Sequence, residues 1–475
     1  MKFGGTSVGD AGCIARVVQI VREASRESSI VVVVSAMRGV TNHLIEAANR
    51  SEANEREAVA GLFDSLRRQH DEAIELLIRS EARRAGLTQS TRQIFAEGER
   101  LCEGTSLLRE LTPRTLDSIS SLGERLSAPI VASTLAEAGV ESEPIDATEL
   151  ILTDSYHGGA QPLMEATRER SQSRLKSLLD AGVVPVVTGF IGATQQGVLT
   201  TLGRGGSDYS ATILGAALDA DEIIIWTDVN GVLTADPRLV PEARTIPEIS
   251  YREAAELAYF GAKVLHPKTL RPVMPAGIPV WIRNSFAPEQ IGTKITQEGR
   301  SNGGGVKALT AIKDVALIAV GGPGIVGLPD VVGRTFSTTA EARANVLLIS
   351  QSSSQNDICF IVASTDAKRT VDALRNEFAQ DLAHEKVEHI TVDPSIAIIA
   401  VVGEKMHGTP GVAGRTFSAL GREGVNVIAI AQGSSESNIS FVVDEKHMKT
   451  ALVSVHREFG LGAPVGTEVG ESVGT

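Results

Sequence analysis

An internal duplication in the last third of this chain constrains its fold more than any other feature. At a constant offset of 81 residues, Ile318-Ala319-Val320 recurs as Ile399-Ala400-Val401, and Gly333-Arg334-Thr335-Phe336-Ser337 as Gly414-Arg415-Thr416-Phe417-Ser418. Asn345-Val346, Gln351, Ser353-Ser354, Phe360 and Val362 return without a gap as Asn426-Val427, Gln432, Ser434-Ser435, Phe441 and Val443. So long an ungapped match marks a duplicated structural module. Each copy reads strand, glycine-containing loop, helix, strand, short turn, strand, helix, the order of a ferredoxin-like half-sheet with helices on one face. In the first copy, Gly322-Pro323-Gly324-Ile325-Val326-Gly327 satisfies the G-x-G-x-x-G spacing of dinucleotide sites. The second copy has Gly403-Glu404-Lys405-Met406-His407-Gly408 at the same place and breaks the spacing, so the loop belongs to the module and not to a cofactor site.

The rest of the chain has a different rhythm. Ile30-Val31-Val32-Val33-Val34, Val183-Val184-Pro185-Val186-Val187 and Ile223-Ile224-Ile225-Trp226 are continuous apolar runs without polar alternation. Strands of that kind are buried on both faces, as in a parallel sheet covered by helices. They end in Ser35-Ala36, Thr188-Gly189 and Thr227-Asp228, and ligands of open α/β sheets gather at such carboxyl ends. Residues 47–110 read as an added helical subdomain rich in Glu and Arg. A chain of 475 residues exceeds one ordinary core. The expected division is a catalytic domain over 1–295 and modules over 306–385 and 395–460, the second completed by a strand from 306–312. A loose tail over 461–475 follows.

The net charge of −13 and the lack of a basic cluster exclude a large nucleic-acid footprint. No apolar run approaches the ~20 residues needed to cross a bilayer. Cys13, Cys102 and Cys359 form no CxxC pair and no metal-ligand spacing, which fits a reducing cytosol better than a disulfide framework. The expectation is therefore a cytoplasmic protein with no membrane, nucleic-acid or protein-held metal site.

Four segments carry chemistry. Lys2-Phe3-Gly4-Gly5-Thr6-Ser7 runs from a short strand into a glycine turn and a helix, where backbone N–H groups can meet a phosphate and Lys2 can supply a point charge. Alone, it reads more readily as a solvated chain end. Gly203-Arg204-Gly205-Gly206-Ser207-Asp208 sets an Arg able to clamp a carboxylate before a helix, with Asp208 either functional or a plain N-cap. Thr227-Asp228 and the turn to Asp236-Pro237-Arg238 suit a nucleotide edge or an ordinary strand and turn. Lys263, in Gly261-Ala262-Lys263-Val264-Leu265-His266-Pro267, lies in an apolar stretch and is either a ligand contact or a snorkelling lysine.

Together with Ser35-Ala36-Met37-Arg38-Gly39-Val40-Thr41-Asn42 and Gly123-Glu124-Arg125-Leu126-Ser127, these strings resemble the aspartate kinase family of the amino-acid-kinase superfamily. They stand in that family's order, and the duplicated modules resemble tandem ACT domains, so the resemblance covers nearly the whole chain. It implies a three-layer αβα, carbamate-kinase-like domain with a mainly parallel sheet, followed by two ferredoxin-like α+β ACT domains. It further implies ATP- and Mg2+-dependent phosphorylation of the L-aspartate side-chain carboxylate, the first step toward lysine, threonine and methionine. Lys2, Arg204 and Asp208 would be catalytic; Ser35, Thr41, Glu124 and Arg204 would hold aspartate. Glu124 would face its amino group and Arg204 its α-carboxylate. Lys2, Gly4, Gly5, Thr227, Asp228, Leu233, Arg238, Lys263 and Val264 would line the nucleotide, and His266 would be structural. Leu233 departs from the family, which often has Tyr there, and the first strand is a residue or two short, leaving open an upstream start. Asn345, Gln351, Asn426 and Gln432 would bind the effector, with threonine preferred to lysine, although the glutamines also read as polar turns. Homodimers or tetramers through the ACT domains are implied. Two rival readings remain: a kinase for another acidic amino acid, and a non-catalytic amino-acid-binding regulator.

Overall fold

The computed structural model describes residues 1–261, 265–299, 305–322, 329–406, except 352–356, and 408–462, except 434–436. These residues divide into two compact units. The first comprises Met1–Val232, Pro247–Tyr251 and Val264–Gly299; the second comprises Leu233–Ile246, Arg252–Lys263 and everything from Arg300 on.

In the first unit the strands are β1 (Lys2–Phe3), β2 (Val32–Val34), β3 (Ser142–Ile145), β4 (Val184–Thr188), β5 (Ile191–Ala193), β6 (Leu199–Thr201), β7 (Ile223–Thr227), β8 (Glu248–Ser250), β9 (Val280–Asn284) and β10 (Thr293–Thr296). All but the β5-β6 hairpin form one sheet in the order β3-β4-β2-β1-β7-β9-β10-β8. Every neighbouring pair is parallel except β9 with β10. The apolar runs of the sequence become β2, β4 and β7, each fully or almost fully buried. β1 is only two residues long, yet it is central: Lys2 pairs with Val33 on one side and Ile225 on the other. Its Phe3 ring stacks parallel to Trp226 at 6.0 Å. The chain order reverses at β1, which makes the carboxyl ends of β1, β2, β4 and β7 the expected ligand crevice.

Eight helices accompany this sheet: α1 (Ala11–Ala24), α2 (Val40–Glu52), α3 (Arg56–Leu77), α4 (Glu81–Leu108), α5 (Pro113–Ser120), α6 (Leu122–Glu137), α7 (Met164–Asp180) and α8 (Gly206–Ala217). Asp10 caps α1 by accepting the Cys13 N–H at 2.8 Å, and Thr112 caps α5 just before Pro113. α2, α3 and α4 contribute Leu44, Phe63, Leu66 and Phe95 to the core cluster that also holds Phe3, Val34 and Trp226 of the sheet.

The second unit holds α9 (Tyr251–Tyr259, its first residue in the first unit), α10 (Pro329–Glu341), α11 (Ser364–Glu377), α12 (Ala379–Ala383), α13 (Val412–Arg422) and α14 (Met448–Glu458). Its strands are β11 (Ala308–Gly321), β12 (Leu348–Gln351), β13 (Asp357–Ala363), β14 (His389–Val402), β15 (Ala429–Ala431) and β16 (Asn438–Asp444). They form one sheet in the order β12-β13-β11-β14-β16-β15. The two long strands each serve both copies. Val315–Gly321 opens the first copy, while Ala308–Ile312, ahead of a register shift, pairs with Ile398–Val402 of the second. The duplication extends to side chains: Phe336 meets Phe360 edge-on at 5.6 Å as Phe417 meets Phe441 at 5.8 Å. Arg334 covers the Phe378 ring at 4.5 Å just as Arg415 covers Phe459 at 4.5 Å.

Two segments that precede residue 295 pack in this second unit. Thr234 accepts the Leu309 N–H at 2.8 Å and its hydroxyl lies 3.0 Å from His456 Nε2. Glu253 of α9 forms an almost fully buried ion pair with Lys307 at 2.8 Å, and its other oxygen accepts the Glu404 N–H at 2.9 Å. The boundary expected at 295 is thus crossed by these two inserts. The loop from Pro323 to Leu328, His407, Ser352–Ser354, Ser434–Ser435 and the tail from 463 lie outside the described residues. No helix among the described residues is long and apolar enough to cross a membrane.

Candidate active site

β1 delivers Lys2 to the carboxyl edge of the first sheet with the residue only 7 % exposed. The solvated-end reading is therefore not what the structure shows. Its ammonium lies 2.5 Å from the Asp208 carboxylate in the first turn of α8. Asp208 is not the N-cap of that helix; Gly205, in the left-handed region at φ 67°, takes that position. A β-carbon on Gly4 would come within 3.3 Å of the Lys2 ammonium, so this glycine leaves room beside the cation, while one on Gly5 would come within 3.1 Å of the Ala36 carbonyl.

β2 leads into Ser35, whose N–H donates to the Phe3 carbonyl at 3.1 Å and whose own carbonyl accepts the Ser127 hydroxyl at 2.7 Å. Gly123 is required here, because a β-carbon would strike Ala36 at 2.6 Å. That close approach seats Glu124, 3 % exposed, against the strand end. Burial pushes the Glu124 carboxyl up to about 8, opposed by the Ala36 N–H, its own N–H and the Lys2 charge. Among the described residues its Oε2 has no hydrogen-bond partner. A buried carboxyl with an open oxygen is costly unless a donor arrives to fill it. Thr41, half-buried, lies in the first turn of α2 behind Gly39 at φ 83°.

Arg204 is exposed, on the Gly203-to-Gly206 segment that enters α8. Among the described residues no ion pair holds it, so its guanidinium is free for a ligand. Lys268 donates to the Leu202 carbonyl and sits 5.4 Å over the Tyr209 ring. Burial, then Lys268, Arg204 and Arg271, hold the His266 pKa below its ordinary value, so positive charge concentrates around this turn. His266 itself caps the short Pro267–Leu270 turn through Lys268 N–H, a structural role.

Thr227 and Asp228 close β7, with the Thr227 hydroxyl 3.2 Å from the Asp228 carboxylate. Leu233 and Arg238 belong to the second unit, where the exposed Arg238 is held by Asp236 at 2.6 Å. Lys263 and Val264 lie outside the described residues. Asn345, Gln351, Asn426 and Gln432 are all exposed, with Gln351 ending β12 and Gln432 one residue beyond β15. These two edge strands meet: the Ser350 hydroxyl lies 3.5 Å from the Ile430 carbonyl.

Sequence reasoning missed Phe190. This bulky residue sits at φ 70° directly after Gly189, held by the Ser210 hydroxyl on its N–H at 2.9 Å. Its ring leaves no room for a β-carbon on Gly206, which would lie 2.5 Å away. A non-glycine in the left-handed region costs ~1–3 kcal/mol and clusters at ligand sites; nothing in the local string Gly189-Phe190-Ile191 announces it.

The chain matches the amino acid kinase family over residues 1–284 and the ACT domain over 318–378 and 399–459. It is 35% identical over 468 residues to the chloroplastic bifunctional aspartokinase/homoserine dehydrogenase 1 of Arabidopsis thaliana, covering 97% of this chain and 51% of that protein. The chain spans about half the length of such bifunctional relatives. It is 33% identical over 464 residues to the chloroplastic aspartokinase 1 of Arabidopsis thaliana, covering 97% of this chain and 79% of that one. Among solved structures, E. coli aspartokinase III in complex with aspartate and ADP (R-state) superposes with a TM-score of 0.79 at 30% identity, covering 96% of this chain and 98% of that one. The same enzyme in complex with lysine and aspartate (T-state) gives 0.79 at 29% identity with the same coverage.

Proposed function

The chain belongs to the aspartokinases of the amino acid kinase family, and from that premise we propose that it transfers the γ-phosphoryl group of ATP to the side-chain carboxylate of L-aspartate, giving L-4-aspartyl phosphate. The observation that carries this reading is a buried Lys2 ammonium held by Asp208, with a buried Glu124 carboxyl within reach of its charge whose Oε2 is open among the described residues. An amino acid brings the ammonium that such an oxygen lacks. The free Arg204 guanidinium suits its α-carboxylate bidentately.

The aspartate side-chain carboxylate, with a reference pKa of ~3.9, is ionised at neutral pH and attacks without a general base. The barrier is the approach of one anion to another, so the work lies in positioning and charge neutralisation. Lys2, aimed by Asp208 over the Gly4-Gly5 turn, meets the transferring group. Thr227 and Asp228 take the nucleotide in this reading. Among the described residues no group of three or more acidic, His or Cys side chains gathers into a metal cage. The donor set thus suits Mg2+ arriving on the nucleotide phosphates, with Asp208 the carboxylate at hand. The ion supplies further charge neutralisation when bound.

An ATP-turnover assay with hydroxylamine trapping of the acyl phosphate, run on aspartate, glutamate and N-acetylglutamate, tests the assignment. Turnover confined to aspartate is expected; turnover on another acid alone, or none, overturns it. For Arg204→Ala, the KM for aspartate should rise ~10- to 100-fold, the worth of a charge-assisted hydrogen-bonded pair, with the KM for ATP nearly unchanged. An unmoved aspartate KM contradicts the clamp.

The ACT pair we assign to feedback control by threonine, with lysine the alternative, at Asn345, Gln351, Asn426 and Gln432, in a cytoplasmic homodimer or tetramer. The support is that β12, which ends in Gln351, and β15, which stops one residue before Gln432, meet at Ser350 and Ile430. Titrating activity with each amino acid should give inhibition by threonine; inhibition by lysine alone reassigns the effector, and indifference to both removes the sensor role.

A further inference from the structure

Asp117 on α5 is a charged side chain only 2 % exposed, with no lysine or arginine against it among the described residues. His157, two backbone N–H groups and a hydroxyl surround it instead. Its Oδ2 lies 2.7 Å from His157 Nδ1 and accepts the Gly158 N–H at 3.1 Å and the Thr201 N–H at 3.3 Å. Its Oδ1 accepts the Thr201 hydroxyl at 2.5 Å and the Gly158 N–H at 3.1 Å. A buried carboxylate with this many donors is a tie point between the elements that supply them.

Those elements are informative. Thr201 is the last residue of β6, three residues before Arg204. The intervening Gly203, at φ 72°, packs so tightly that a β-carbon would strike the Gly158 carbonyl at 2.7 Å. Lys268 grips the Leu202 carbonyl from the other side. The backbone that carries Arg204 is therefore laid over the 157–159 loop, and Asp117 binds both. On its own side, α5 runs through a single residue, Ser121, into α6, whose first turn carries Glu124.

We propose that Asp117 is a positioning residue that fixes the separation between Glu124 and Arg204, and so sets the grip on the ammonium and α-carboxylate of the acceptor amino acid. This rests on the aspartate kinase reading above. Asparagine at 117 offers one acceptor oxygen where two are used, and its NH2 faces donors that cannot turn away, the Gly158 and Thr201 N–H groups. Arg204 loses its fixed origin while Lys2 and the nucleotide side of the crevice keep theirs.

The test is initial-rate kinetics on the full chain for Asp117→Asn, Thr201→Val and Thr201→Ser, with a melting curve for each. Asp117→Asn should raise the KM for aspartate ~10- to 30-fold, with kcat and the KM for ATP within ~3-fold of wild type. Thr201→Val, which removes only the hydroxyl donor, should raise the aspartate KM at least ~3-fold, and Thr201→Ser should restore it. If Asp117→Asn does not fold, the valine–serine comparison decides alone. Equal rises in both KM values, a fall confined to kcat, or an unmoved aspartate KM in a folded variant overturns the inference. A wild-type chain that ignores aspartate overturns the reading beneath it as well; a wild-type chain active on aspartate with indifferent variants overturns this inference alone.

Discussion

Lys2→Ala should lower kcat by ~10^3-fold while leaving the fold intact. Removing one preorganised cation or donor from a site of developing negative charge costs ~10^2–10^3 in turnover. Here the loss is compounded, because Asp208, 2.5 Å from the ammonium, is left as an uncompensated carboxylate facing an incoming polyanion. The fold is spared because β1 is held through its backbone: Lys2 pairs with Val33 and Ile225, and Phe3 packs on Trp226, none of which uses the Lys2 side chain. Steady-state kinetics and circular dichroism on the same sample check both halves. The repulsion component is separable, since Lys2→Ala/Asp208→Asn should be less impaired than the product of the two single variants. Near-normal turnover in Lys2→Ala removes Lys2 from the mechanism.

How far the sequence reaches can be judged residue by residue. The duplication at an offset of 81 is legible because both copies solve the same packing problem, down to Arg334 on Phe378 and Arg415 on Phe459. β2, β4 and β7 are legible because burial on both faces leaves an unbroken apolar run. Lys2, Arg204 and Asp208 stand out because glycines surround them. What stays hidden depends on tertiary register. Asp117 sits in an unremarkable amphipathic turn, and only the arrival of Thr201, far along the chain, makes it a hub. Phe190 is strained by what packs around it, not by its neighbours in the string. The inserts Leu233–Ile246 and Arg252–Lys263 lie inside a stretch that reads as catalytic, and their membership of the second unit follows from partners such as Leu309, His456 and Lys307. A linear boundary at 295 has no means of expressing such interleaving.

Glu124→Gln should raise the KM for aspartate ~30-fold or more and, at the same time, stabilise the protein progressively as pH rises. The first effect follows from leaving the substrate ammonium buried opposite a neutral amide, a loss of ~2–5 kcal/mol when one partner of a buried charge pair is truncated. The second follows from linkage. With the Glu124 carboxyl up at about 8 in the folded chain against an ordinary value of 4.5, the native state holds one more proton than the unfolded state between those limits. Stability therefore falls as pH climbs through that window and levels off above it. At ~1.36 kcal/mol per pKa unit the ceiling is large, and relaxation around a buried group reduces it to roughly 2–4 kcal/mol. Glutamine cannot ionise, so its melting temperature should match wild type near pH 5 and exceed it by several degrees near pH 9. Aspartate binding draws the proton from Glu124, so the wild-type aspartate KM should fall by up to ~10-fold per unit between pH 6 and 8, a slope that Glu124→Gln lacks. Divergent melting curves with parallel KM–pH slopes would assign the ammonium to another group; parallel melting curves together with parallel slopes would mean that Glu124 is already ionised before the substrate arrives.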